Sequence, residues 1–135
     1  ATGFLRWNPC KSGKVIARVV VTSLFAPAIL EELFFRVLLL PDPATKISST
    51  SYWLWSGFSL LLFVIYHPLN ALTFFPQGKS TFFAPIFLCL AAILGLTCAI
   101  AYQQTGSIWL PVLIHWLAVV GWLLFFDGLR RLEMN

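Results

Sequence analysis

Five residues have side chains that could do chemistry where the surrounding chain is built for hydrocarbon. Glu31, Glu32 and Arg36 stand in the run LEELFFRVLLLP, residues 30 to 41, and His67 and His115 are the only two histidines. On a helix, Glu32 and Arg36 lie about 40° apart and one turn along the same face, so they can pair. Glu31 lies about 140° around from Arg36, and the simplest ion pair leaves it over. A carboxylate in low-dielectric surroundings is a stronger base toward water. A neutral imidazole nearby can orient that water, and a second can polarise a carbonyl. These residue types support attack of an activated water on a carbonyl, with no covalent intermediate.

Other readings of the same residues stay open. Glu32 and Arg36 can be a purely structural pair, and a histidine in an apolar span can be a hydrogen-bonded packing residue. One Glu and two His also make an open zinc ligand set. Ionisable groups inside a membrane can equally mark a proton or ion pathway.

The elements that must position these groups are membrane helices. The chain has 135 residues, is 59% hydrophobic and 10% charged, and has a mean hydropathy of +0.86; an average soluble domain is about a quarter charged. A span needs about 20 apolar residues, and four runs supply them: Val15 to Leu40, Tyr52 to Phe75, Phe82 to Tyr102 and Ile108 to Phe126. The expected fold is all-α, a polytopic transmembrane bundle of about four spans in a single domain, residues 1–135. The chain begins at Ala1 and its first basic stretch leads into a full-length helix, so the expectation is a fragment or processed form that lacks N-terminal spans.

Three central charges cost about 2.5 to 3.5 kcal/mol each on an insertion scale, roughly 9 in all. The 14 Val, Ile, Leu and Phe residues from Val19 to Leu40 return about 0.3 to 0.6 each, roughly 6 kcal/mol. The first helix therefore needs polar partners from its neighbours. Pro27 should kink it just before the carboxylates, and Pro41 and Pro43 should end it. Pro68 should break the second span at His67, giving a broken helix at membrane depth. In the third span, Ala91, Gly95 and Ala99 form a small-residue stripe for close backbone approach. Gly106 should end that helix, and Pro111 should fall in the first turn of the fourth. With antiparallel neighbours at about 1.5 Å per residue, Glu31, His67 and His115 fall roughly 10 to 21 Å from one surface and could meet near the midplane.

Cys10, Cys89 and Cys98 are odd in number and lack pair spacing, which argues against a disulfide framework or structural zinc. The net charge of +4 is topological, and nucleic-acid binding has no support. Arg6, Lys11, Lys14, Arg18, Lys79, Arg130 and Arg131 fall on one side against Lys46 on the other. The positive-inside rule then places both termini of this integral membrane protein in the cytoplasm.

EELFFR (Glu31, Glu32, Arg36), FVIYH (Phe63, His67) and GLTCAIAYQQTGSIWLPVLIHWLAV (with His115) resemble, in order and spacing, the three motifs of the CPBP family. This family, also called Abi, contains CAAX-prenyl endopeptidases of the Rce1 type and bacteriocin-processing or immunity proteins. The resemblance runs from Val15 to Phe126. It implies an intramembrane endopeptidase in which Glu31 and His67 activate water, His115 and an Asn or Asp four residues later hold the oxyanion, and Glu32 with Arg36 gives support. The fourth position here is Val119, which cannot donate a hydrogen bond.

The implied partner is the bilayer and a membrane-associated peptide or protein; a prenylated CAAX tail follows by family analogy alone. The family has been described both as glutamate-type and as zinc-dependent. The glutamate form, with no cofactor, is the reading preferred here, and zinc on Glu31, His67 and His115 remains the alternative. A catalytically silent member acting as immunity factor or membrane scaffold is a third reading, which Val119 favours.

Overall fold

Proline decides the course of the first helix. In the computed structural model, which describes residues 3–133, α1 (Gly13–Ser23) runs into a π-helical segment, Leu24–Ile29, in which Ala26 leaves helical geometry with φ −133° and ψ 113°. Ala26 precedes Pro27, whose ring disfavours the α region in the residue before it; the Ala26–Pro27 peptide is cis. Helix resumes as α2 (Leu30–Glu32) and widens again into a π segment, Leu33–Leu38. The stretch Gly13–Leu38 as a whole is long and apolar enough to cross a membrane. The kink expected just before the carboxylates is present.

The second long helix corrects an expectation. α3 (Ser49–Thr73) is one unbroken helix that carries Pro68 inside it, so the broken span is the first and not the second. A proline removes a single intrahelical bond, and a helix of 25 residues can absorb that loss when the preceding residue keeps helical geometry. Ser48 caps α3 by accepting from the Ser51 amide at 3.1 Å, one of the donors that a helix start leaves unsatisfied.

A short 3-10 turn and α4 (Lys79–Phe82) lead to α5 (Pro85–Thr105). Gly106 ends α5 at φ 63°, in the left-handed conformation that glycine adopts freely. α6 (Trp109–Phe125) has Pro111 in its first turn, where the missing donor is harmless. At 17 residues it is apolar but shorter than the three helices among the described residues that are long enough to cross a membrane. α7 (Gly128–Glu133) follows a corner at Asp127, which takes φ 65°. Ala1 and Asn135, the bounds of the expected single domain, lie outside the described residues.

The bundle is all-α; the one strand-like contact among the described residues is a bridge between Asn8 and Phe126. α5 packs between α3 and α6, and α6 packs against α1 and the kinked segment. The Ala91, Gly95 and Ala99 stripe faces α3: Tyr52 Oη donates to the Ala99 carbonyl at 3.1 Å. A Cβ on Gly95 would lie 2.8 Å from Leu60 Cδ1 and 3.0 Å from Phe63 Cδ1. Close approach at this point is the reason for a glycine.

The distribution of side chains is inverted relative to a soluble protein. Leu38 and Leu54 are 72% and 71% exposed, while Glu32 and Arg36 are both 0% exposed. Large apolar side chains on the outside and charges on the inside suit a hydrocarbon solvent. The chain is an integral membrane protein.

Candidate active site

The kink and the two π segments set α2 at the centre of the bundle, with its carboxylates turned inward. Such irregular helix segments are frequent at functional sites. Arg36 Nε donates to Glu32 Oε2 at 2.9 Å, the pairing expected from their spacing. The other nitrogens of Arg36 leave the helix. Nη1 donates to Ser59 Oγ of α3 at 3.3 Å and Nη2 to the Gly95 carbonyl of α5 at 3.0 Å. The polar partners that the first helix needs are supplied by these two neighbours.

The second oxygen of Glu32 reaches the fourth long helix. His115 Nδ1 lies 2.8 Å from Glu32 Oε1. A carboxylate oxygen accepts, so the proton is on Nδ1, and the free edge of the imidazole is Nε2. Nε2 lies 3.7 Å from Glu31 Oε2. That atom is buried and has no hydrogen-bond partner among the described residues. Arg36, Glu32, His115 and Glu31 thus form one chain of polar contacts between the first helix and α6.

His67 stands apart from that chain. Its Nδ1 donates to the Phe63 carbonyl at 2.8 Å, and its ring is enclosed by Phe63, Tyr66, Phe82 and Phe87. The Phe63 ring contacts both histidines, with centroids 4.9 Å from His67 and 5.9 Å from His115. No hydrogen bond or ion pair joins His67 to Glu31 among the described residues. Val119, one turn beyond His115, is half-buried. The three-residue zinc set does not fit a metal centre in this geometry, because no three His, Cys, Asp or Glu side chains gather to hold an ion among the described residues.

Two contributors carry no mark of a site residue in the sequence. Ser59 is one of several span serines and carries no motif. The spacing marks Gly95 as packing, and its carbonyl as an acceptor for Arg36 depends on how α5 is rotated, which the small-residue stripe does not specify. A surface groove of about 360 Å³ lined by Ser51, Leu54, Trp55 and Phe58 lies at the N-terminal end of α3 and contains none of the site residues.

Among known proteins, the chain matches the family model described as type II CAAX prenyl endopeptidase, Rce1-like, over residues 13–121. No curated protein and no solved structure matches it.

Proposed function

The chain belongs to the Rce1-like family of type II CAAX prenyl endopeptidases, and from that premise we propose that it is a glutamate-type intramembrane endopeptidase acting on a membrane-associated, prenylated peptide or protein. The observation that carries this reading is the 3.7 Å approach of Glu31 Oε2 and His115 Nε2 in the bundle interior. The gap is too long for a direct hydrogen bond, yet a reacting oxygen can sit about 2.8 Å from both groups.

Glu31 is the general base. It takes one proton from a water whose oxygen bonds to the scissile carbonyl carbon. The carbonyl electron pair moves to oxygen, which accepts a hydrogen bond from Nε2–H of His115, a ring that enters the step as imidazolium with its second proton taken from solvent before the water attacks. Glu32 holds the imidazole in one tautomer and balances its positive charge, as a carboxylate does behind other catalytic histidines. His67 commits Nδ1 to the Phe63 carbonyl and offers Nε2 to orient the attacking water. The carbon–nitrogen bond then breaks as Glu31 returns its proton to the leaving amine.

One membrane-embedded domain carries this site, with both termini in the cytoplasm. The orientation is supported by the seven Lys and Arg residues on that side. It is also supported by the Asn8 and Cys10 amides, which bond to Phe125 and Leu124 carbonyls and bring the N-terminal segment to the same end of the bundle as the corner after α6.

The test is cleavage of a farnesylated peptide ending in a CAAX sequence by the purified protein in lipid. Wild type should cleave and Glu31→Gln should not. Equal rates for the two would overturn the proposal. The silent-scaffold reading is favoured by one observation, that Val119 places no donor one turn beyond His115; cleavage above the Glu31→Gln background would remove it.

A further inference from the structure

We infer that Ser59 is a positioning residue for the proposed reaction, and the kinetic part of this inference rests on that reading. Thr73 of α3 and Thr97 of α5 bond within their own helix, to the Leu69 and Ile93 carbonyls, the common local arrangement for such side chains. Ser59 does not. It is fully buried, and its proton goes across to the Phe35 carbonyl at 2.7 Å. A hydroxyl has one proton to give, so committing it to Phe35 turns a lone pair toward Arg36 Nη1 at 3.3 Å.

The consequence passes along the polar chain. A guanidinium is planar with its donors in a fixed fork. Held at Nη1 by Ser59 of α3 and at Nη2 by Gly95 of α5, it cannot turn about its Cδ–Nε bond, and Nε stays aimed at Glu32 Oε2 at 2.9 Å. The carboxylate plane is then set, Oε1 meets His115 Nδ1 at 2.8 Å, and Nε2 faces Glu31. Ser59 is a neutral side chain anchoring the charged Arg36 end of these contacts. Removing its hydroxyl disturbs the aim of His115 without deleting a charge.

The experiment measures kcat and KM per folded molecule for Ser59→Ala and Ser59→Thr on the farnesylated CAAX peptide, with Glu31→Gln as the inactive control. A 1 Å misplacement costs about 10²-fold in rate; loss of one of the two outer anchors should lower kcat by about 10-fold with KM unchanged, and Ser59→Thr, which keeps the hydroxyl, should restore it. A second readout does not depend on turnover. In a His67→Gln background, ¹⁵N-imidazole NMR sees His115 alone, and its hydrogen-bonded Nδ1–H signal should shift or vanish in Ser59→Ala and return in Ser59→Thr. Should Ser59→Ala not fold, Ser59→Cys, of similar size but a weak donor, takes its place with the same expectations.

Wild-type kcat per folded molecule in Ser59→Ala, with an unchanged His115 spectrum, would overturn the inference and leave Ser59 as packing. If wild type and Glu31→Gln prove equally inert on the peptide, the peptidase reading fails separately. The spectrum then decides alone: a shifted His115 signal supports the positioning role, and an unchanged one overturns it.

Discussion

His115 and Glu32, 83 positions apart in the chain, are joined at 2.8 Å through Nδ1 and Oε1, while the other oxygen of Glu32 holds Arg36 at 2.9 Å. Glu32 is therefore shared between a structural tie and the proposed site. Breaking a buried pair by removing one partner costs about 3 to 5 kcal/mol, so Glu32→Gln and Arg36→Gln should each unfold markedly more easily in detergent. Glu31→Gln should melt close to wild type, since Oε2 of Glu31 accepts no hydrogen bond among the described residues. Thermal denaturation of the three variants checks this, and an Arg36→Gln protein as stable as wild type would show that the pair is not holding the bundle.

Gly95 concentrates packing and polarity at one point. Adding a Cβ brings it to 2.8 Å from Leu60 Cδ1, a flexible tip, and to 3.0 Å from Phe63, which is fully buried. Overpacking of this kind costs about 1 to 3 kcal/mol. Gly95→Ala should lose that much stability, and Leu60→Ala in the same chain should recover only part of it, because Phe63 remains in the way. Full recovery in the double variant would mean that the Phe63 contact is immaterial.

The corner at Asp127 lies outside the spans and gives a pH dependence. The hydrogen bond from Asn8 Nδ2, at 3.0 Å, and then the Arg130 guanidinium hold the Asp127 carboxyl below the usual carboxylate range. A depressed folded-state pKa adds stability above the unfolded value, about 3.9, and that stability is lost as pH falls through the folded value. The N-terminal segment should stay docked from about pH 7 to pH 5 and loosen below about pH 4. Hydrogen exchange at the Asn8 and Cys10 amides, which bond to Phe125 and Leu124 carbonyls, reports it. Asn8→Ala should move the loosening to higher pH; protection that is equal at low and neutral pH would contradict the assignment.

The loop between the first two spans tests the orientation. Lys46 is the only basic residue assigned to its side, so a tag inserted between residues 41 and 51 should be labelled from outside the cytoplasm by an impermeant reagent. Labelling only after the cytoplasmic face is opened would invert the topology.

What the sequence made legible was what local geometry alone decides. The Glu32–Arg36 pair follows from four-residue spacing on a helix, the kink from Pro27, the end of α5 from Gly106, and the close α3–α5 contact from small residues every fourth position. The errors and omissions lie where two elements must be known together. Pro68 has the same local chemistry as Pro27, but the helix of residues 49 to 73 continues through it while Ala26 leaves helical geometry, and local propensity does not distinguish the two. The His115–Glu32 bond depends on the rotation of α6 about its axis. Ser59 depends on the turning of α3 toward Arg36, and no local signal marks it among the other serines. From the sequence the meeting of Glu31, His67 and His115 rests on depth alone; the direction of each side chain, which depth does not give, brings Glu31 to His115 and places His67 among aromatic rings.

The central claim is that Glu31 activates a water for peptide cleavage at the membrane. The most direct measurement compares the termini of membrane proteins in cells carrying wild type with those in cells carrying Glu31→Gln at equal levels of folded protein. At least one new terminus should be present with wild type and absent with Glu31→Gln, and should also disappear with His115→Ala. Identical sets of termini in the wild-type and Glu31→Gln cells, with both proteins folded in the membrane, would contradict it.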